Sequence, residues 1–592
     1  MPCFGRRKSD GKPARPEVLR PLGALYAIPA ALRGAQAEEA LKAYFERAVA
    51  LAVLDHPLLQ AGLVGESTKD PVWVRLERLD LRHHIQWQTI SCNSDKSLSN
   101  SGRMMNAVLE DTIKAQHDTP YPDLETRPGW KMVVLCAPDL NYVEAFFGIN
   151  HANADGESAK MFQQTLLEKL NLTSTSSLSA PDDALSGLQL EGHVLTLPPM
   201  PQSAFTPAHE TLVGLSVSPV WAVSVVLNQI LPSWLRSHPL RNLEWAPQRA
   251  VPVRTALRLI EIDAEALRRV LDACRRHDTT LTGVVQAMVV TSLAMRTRTH
   301  TTTTRPGALP SKKTLPTSPS PIVLGTPVSM HRYIRPNAAA AAQNPERIMV
   351  NSVTYCFHHY YGRRLASLYD LAGNVAQDND EANHERGCLA DNAEINARRL
   401  EAALWEQAAR VRRQLTEKLS KGTHNDLTGL LKFVPDFRGR MAEEMAVADR
   451  PRDVTVEVSN LGVMNGEVIS RPKLPLQAEV DGSSVASLAA EKEGVEDFGD
   501  VAAATSRGDH DDQDQKWIIE RAMFTQSGIP HGVALLVNAI AVKGKRLTVS
   551  VNWQSGLIDE EVAAGLARDL EVWLGSLGRG DHISFSNRAK SG

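Results

Sequence analysis

Residues Val143–Leu170 read VEAFFGINHANADGESAKMFQQTLLEKL. An apolar run interrupted only by Glu144 stops at His151; Asp155 and Gly156 follow, and Met161–Leu170 resumes apolar residues at helical spacing. A strand that ends in a histidine and turns through a glycine into a helix holds that histidine on rigid scaffold, where it can project into a cleft. An imidazole so placed suits general-base work, because its ordinary pKa lies near the working pH. The plainer alternatives are a core histidine satisfied by a backbone carbonyl and, for Asp155, a turn or cap residue. H-x-x-x-D-G has only three fixed positions and arises by chance in about one chain in twenty of this length, so context has to carry the reading.

Upstream, Glu38–Val53 has the spacing of an amphipathic helix with acidic residues in its first turn, and it stops near Pro57. Val72–Leu79 and His83–Ile90 read as strands and Met104–Gln116 as a helix. Lys131–Cys136, a turn at Pro138–Asn141 and Tyr142–Asn150 predict a hairpin whose second strand ends at His151. Downstream, strands are expected at Ala256–Ile262, Pro321–Val328, Val454–Ser459, Gly532–Val542 and Arg546–Trp553, and helices at Ala264–His277, Gly283–Met295 and Asp559–Leu577. The mixture points to α+β or mixed α/β lobes.

At 592 residues the chain is too long for one ordinary core. The division expected is a disordered tail at 1–16, an N-terminal lobe at 17–205, a crossover at 206–250 and a C-terminal lobe at 251–592. Loop insertions are expected near 300–321, 336–345 and 466–515, the last with nine acidic and two basic residues over Glu491–Gln515. A formal net charge of −3 gives no reason to expect nucleic acid as a partner. Six scattered cysteines without a CxxC pair argue against a zinc site and a dense disulfide framework. His83-His84 and His358-His359 do not match ligand spacing either, since neighbours on a strand point to opposite faces, so no metal is expected. No uninterrupted apolar run of about 18 residues predicts a spanning helix. The nearest approach, Pro219–Leu235, reads first as a packed helix and second as a membrane-surface or substrate-tunnel segment.

HANADG at His151–Gly156 resembles the HxxxDG motif of the chloramphenicol-acetyltransferase-like superfamily, which includes condensation domains and BAHD acyltransferases, and the likeness is to its fungal alcohol acetyltransferase group. Arg20-Pro21-Leu22-Gly23, Pro128-Gly129-Trp130, Thr280-Leu281-Thr282, Ser459-Asn460-Leu461-Gly462 and Phe524-Thr525-Gln526-Ser527 support it in the same order along nearly the whole chain. The resemblance implies two lobes, each a mixed sheet with flanking helices, with a channel between them. It implies His151 as the base that takes a proton from an acceptor alcohol or amine attacking the acetyl-CoA thioester, with acyl-CoA as co-substrate and no bound cofactor. No covalent acyl-enzyme is needed, which fits the lack of a recognisable Ser or Cys nucleophile motif.

The motif aspartate of the superfamily usually pairs with an arginine of the other lobe. Asp155 is therefore expected to be structural, and Gly156 to give the backbone room to turn. Gly325–Arg332 resembles the Gly-x-Pro…Arg strand end of condensation domains at a spacing one residue longer, making Arg332 the candidate partner and Arg335 its rival. Ser527 is the candidate oxyanion donor, from the start of a strand in the second lobe; Asn460 reads first as a residue that shapes a turn and second as one that lines the channel. Asn150 replaces the first histidine of the usual HH, and no DFGWG-like segment occurs. The reading is a free-standing, cytoplasmic, monomeric acetyltransferase of secondary metabolism, with peripheral contact to an intracellular membrane left open. A condensation enzyme with a carrier-protein-bound donor and a catalytically degenerate binding protein are the alternatives.

Overall fold

The computed structural model describes residues 19–66, 68, 71–90, 98–137, 141–172, 188–201, 204–207, 209–230, 243–249, 251–300, 320–335, 347–378, 390–434, 439, 451–468 and 515–585. The expected tail, the 336–345 insertion, most of those at 300–321 and 466–515, and residues 231–235 lie outside them.

Two mixed sheets organise the chain. β1 (Leu19–Ala27), β2 (Ile85–Thr89), β3 (Trp130–Ala137) and β4 (Tyr142–Asn150) belong to the first. β5 (Thr255–Ile262), β6 (Ile322–Ser329), β7 (Val353–Tyr360) and β8 (Val456–Met464) belong to the second. β9 (Ile518–Phe524) returns to the first, and β10 (Leu535–Val542) and β11 (Leu547–Gln554) complete the second. The orders are β9-β1-β4-β3-β2 and β5-β11-β10-β8-β6-β7. β2 runs parallel to β3, and β8 runs parallel to both β6 and β10; the other pairs are antiparallel. The expected hairpin is present as β3–β4, and Asn141 enters β4 from the left-handed region at φ 56°, which asparagine tolerates.

The helices cover these sheets with apolar faces. α1 (Glu38–Asp55) and α3 (Gly156–Leu172) bury Phe45 and Phe162 with Phe147 on one face of the first sheet. α2 (Leu98–Asp118) takes the other face, where Leu109 and Ile113 meet Val133, Phe146, Met523 and Leu257. It overruns its expected Met104–Gln116 span at both ends, which brings His117 into ordered structure. α4 (Pro219–Ile230) leaves Val220 82% and Val223 57% exposed, so the packed reading fails along that face. Residues 72–80 are not one strand: Val72–Arg75 and Arg78–Asp80 are separate, and Val72–Val74 are exposed. α5 (Ala264–Arg276), α6 (Leu281–His300), α7 (Gly362–Asp378), α8 (Ala390–Ser420) and α9 (Glu560–Arg579) belong to the second lobe. Thr280 caps α6 by accepting from the Gly283 amide at 3.2 Å.

In the second sheet β11 alternates throughout, β8 does so over Val456–Ser459, and β10 carries one polar residue, Asn538. Val456 and Val458, Leu535 and Val537, and Val549 and Val551 face the helices, while Glu457, Asn538, Ser550 and Asn552 face the first lobe and are buried all the same. Those polar groups bond one another: Gln526 Nε2 reaches Glu457 at 2.8 Å and Asn538 at 2.6 Å, and Asn538 Nδ2 reaches Ser550 at 3.0 Å. β9, from the C-terminal part of the chain, therefore lies in the first sheet but leans on β10 and β11 of the second. Its Arg521 straddles Leu25 of β1 to reach Glu144 of β4 at 2.6 Å and crosses to Glu261 of β5 at 2.5 Å.

Removing one partner of such a buried pair leaves the other charge uncompensated. Arg521→Met should cost about 3–5 kcal/mol, read from denaturant midpoints, and adding Glu144→Gln should restore much of the loss.

Candidate active site

His151 stands one residue beyond β4 and is half-buried. Its Nδ1 lies 3.0 Å from the Ala154 carbonyl oxygen. A carbonyl only accepts, so Nδ1 carries the proton and Nε2 presents its lone pair. Asn351, from the second lobe, donates through Nδ2 to the backbone carbonyl of His151. Burial and then the positive charge of Arg20 hold the His151 pKa below the ordinary imidazole value, against the opposing pull of the Ala154 carbonyl and the Asp155 carboxylate. The ring is neutral at pH 7.

Asp155 is buried, 1% exposed. One carboxylate oxygen accepts from the Ser158 amide at 2.9 Å and the Ser158 hydroxyl at 3.0 Å, closing the first turn of α3. The other accepts from His331 Nε2 and from the Ser352 amide, each at 3.0 Å and each from the second lobe. His331, not Arg332 or Arg335, is thus its partner. Arg332 is exposed, and Arg335 is exposed with its guanidinium against the surface of Gly214. The longer spacing was the clue: at the condensation-domain spacing this chain has His331.

Gly156 has a different reason from the one expected. Its φ is not positive; a Cβ there would meet Leu461 Cδ2 at 2.9 Å and Phe524 Cζ at 3.1 Å. The missing side chain lets the start of α3 press against β8 and β9. Asn460 does not sit in a turn but inside β8, where the pairing with β10 shifts register; it accepts from the Gly462 amide at 2.9 Å and donates to Thr282 at 3.0 Å.

Ser527 does not open a second-lobe strand. It lies three residues past β9, fully buried, and the next strand begins at Leu535. Its Oγ is 3.0 Å from His117 Nδ1, and His117 Nε2 is 3.0 Å from Thr525 Oγ1. Burial pushes His117 down to about 3, so the ring is neutral and donates to one of these hydroxyls while accepting from the other. Sequence reasoning missed His117 because nothing local distinguishes a histidine at a helix end, and its partners lie 408 and 410 residues away.

Other histidines are committed elsewhere: His84 Nδ1 lies 2.8 Å from the Trp130 carbonyl, and His358 sits between Thr326 and Gln414. Among the described residues no group of three or more His, Cys, Asp or Glu side chains is placed to hold a metal.

Comparison with known proteins adds to this geometry. Residues 95–305 match the model of a family described as alcohol acetyltransferase. A probable alcohol acetyltransferase of Fusarium pseudograminearum is 23% identical over 551 residues, covering 92% of this chain and 88% of that protein. A probable alcohol acetyltransferase of Aspergillus fumigatus is 28% identical over 145 residues, 24% of this chain and 30% of that protein. Among solved structures, a trichothecene 15-O-acetyltransferase from Fusarium sporotrichioides superimposes with a TM-score of 0.54 at 11% identity, covering 95% of this chain and 91% of that one. In fold the chain is a two-lobed protein of the chloramphenicol-acetyltransferase-like kind, and in activity an acyltransferase. Within that class it resembles the fungal alcohol acetyltransferase group.

The His331–Asp155 bond sets a pH dependence. Burial lowers the His331 pKa, but the charge of Asp155 and its hydrogen bond more than reverse this, and the net shift is upward. His331 therefore contributes in full below about pH 6.5, the ordinary imidazole value, and loses that contribution as pH rises through its raised folded value. Burial would raise Asp155, yet the charge and hydrogen bond of His331 hold it below the usual carboxylate range, so its contribution is lost only in strong acid. Denaturant midpoints should fall between pH 6 and pH 9, and His331→Arg should flatten that slope because guanidinium stays charged.

Proposed function

We propose that this acyltransferase moves an acetyl group from acetyl-CoA to the hydroxyl of a small alcohol or secondary-metabolite acceptor, an amine being the variant acceptor, with His151 as general base. The observation that carries this reading is the fixed tautomer of His151, a neutral imidazole whose Nδ1–H is held by Ala154 and whose Nε2 lone pair is left to collect a proton. Nε2 takes the acceptor proton as the acceptor oxygen bonds to the thioester carbon. The tetrahedral intermediate collapses with cleavage of the C–S bond, and the proton passes from Nε2 to the departing sulfur, leaving free CoA and a neutral ring.

Asp155 holds the loop, bonded to both lobes, and does not touch the reacting atoms. Ser527 is the proposed oxyanion donor. His117 Nδ1, 3.0 Å from its Oγ, holds that hydroxyl in place. The alcohol acetyltransferase likeness favours an O-acetyl product and CoA as the donor.

The test is thiol release from acetyl-CoA with and without a panel of alcohols and amines, with acetyl on a carrier protein as a second donor. Release should depend on an alcohol and on CoA. His151→Ala should lower kcat/KM by about 10²–10⁴-fold without changing the melting curve, and Ser527→Ala by about 10²–10³-fold. Full turnover by His151→Ala would end the base assignment, and preference for the carrier would end the donor assignment.

A further inference from the structure

The sequence of α4, PVWAVSVVLNQI, contains no charged residue, and one side of the helix faces outward. Val220, Val223 and Leu227 share a helical face and are 82%, 57% and 48% exposed, with Val226 beside them at 54%. Among the described residues the one polar side chain exposed there is Ser224, whose hydroxyl donates back to the Trp221 carbonyl at 2.7 Å. A helix apolar on every side belongs in a core or in lipid, and this one is not in a core. No described helix is long and apolar enough to cross a membrane, so any lipid contact of α4 is made from the surface.

The surroundings of α4 are basic. The turn that starts it is pinned to a neighbouring stretch: the Ser218 amide donates to Asn425 Oδ1 and the Asn425 amide to the Ser216 carbonyl, each at 2.8 Å. A Cβ on Gly429 would meet Val217 at 2.7 Å, so the 3-10 helix Leu427–Phe433 lies against the same turn. It ends in Phe433, 64% exposed, with Lys432 Nζ 5.1 Å over the ring. The Arg335 amide donates to the Leu212 carbonyl at 3.0 Å, and its guanidinium lies on Gly214. Arg332, Arg335 and Lys432 are exposed, and among the described residues none of them forms an ion pair. The carboxylates of these stretches are Glu210, Glu417 and Asp426; Lys421 takes Glu417 and Lys418 takes Asp426, each at 2.6 Å, which leaves Glu210 against three free cations. The stretch also reaches the candidate site: His209 Nε2 lies 2.9 Å from Ser352 Oγ, and the Ser352 amide holds Asp155.

We infer that this face docks on an anionic phospholipid membrane, with the aliphatic side chains of α4 and the Phe433 ring among the acyl chains and Arg332, Arg335 and Lys432 at the phosphates. A lipid surface fits the face better than a protein partner for a physical reason. Protein interfaces carry about one hydrogen bond per 100–200 Å². The α4 face offers no free donor or acceptor among its described side chains, and acyl chains ask for none. Interfacial binding grows with the apolar area inserted and with attraction to anionic headgroups, and the face supplies both. Because the stretch from His209 to α4 is continuous with the Asp155 cluster, docking keeps the candidate site close to the bilayer.

The test is flotation of the full-length protein with vesicles of phosphatidylcholine alone and of phosphatidylcholine with phosphatidylserine. The wild type should float with the anionic vesicles and lose binding as salt rises. The double variant Val223→Glu/Leu227→Glu should bind them more than about tenfold more weakly, with an unchanged melting curve because both side chains are exposed. Arg335→Gln/Lys432→Gln should weaken binding to the anionic vesicles by about 30-fold and leave binding to neutral ones as it was. Wild-type protein that stays in the buffer with both vesicles, or that floats as well after Val223→Glu/Leu227→Glu, overturns the proposal. So does a wild-type dimer in lipid-free buffer that this double variant turns into a monomer, since a second copy then covers the face. Flotation needs no turnover, so its outcome is independent of the role assigned to His151.

Discussion

The Asp155 carboxylate is the interaction on which the site depends. It accepts four hydrogen bonds, two from Ser158 in its own lobe and one each from His331 and Ser352 in the other. A buried carboxylate with fewer donors would carry a desolvation cost of several kcal/mol. With them it becomes the point at which the start of α3, the end of β6 and the entry to β7 are fixed against one another. Ser158 continues the join, its hydroxyl oxygen accepting from the Val350 amide at 3.1 Å. His151 inherits its position from this cluster, four residues upstream and clamped at its own carbonyl by Asn351.

The same constraint shapes the second sheet. A sheet with one face against helices and the other against water alternates apolar and polar residues; β11 does so throughout and β8 over Val456–Ser459, while β10 carries one polar residue, Asn538. Here the polar face is covered by the first lobe instead of by water. Its side chains have had to satisfy one another, which produces the Glu457–Gln526–Asn538–Ser550 network. Polar groups are thereby held within the interior and fixed in direction by one another. Arg20 and Arg521 are the cations of this interior, one without and one with close carboxylate partners.

Much of this was legible in the residues. The hairpin ending at His151 and a helix over Met161–Leu170 follow from local pattern, because each depends on neighbours within a few positions, whereas the helix in fact begins at Gly156, where a turn was expected. The partner of Asp155 was misassigned by one residue, to Arg332 in place of His331. An arginine fits a carboxylate better in isolation, and only the geometry at the end of β6 decides which side chain faces inward. Gly156 was given the right importance for the wrong reason: the sequence offers a flexible turn, whereas the limit is the closeness of Leu461 and Phe524. The exposed valines of α4 show the converse, an apolar pattern that periodicity alone assigns to a core.

By itself, then, the sequence determined the class of fold, mixed lobes of sheet and helix, together with the histidine at a strand end and the motif that frames it. Periodicity and short-range turn chemistry are written in adjacent residues, and a shared motif survives at low identity. Tertiary structure alone decided that β9 crosses back to the first sheet, that His117 holds Ser527 across 410 residues of chain, and that His331 answers Asp155. Each of these is a contact between segments far apart in sequence, selected by the need to pair charges and donors that packing has removed from water. No local pattern encodes that pairing.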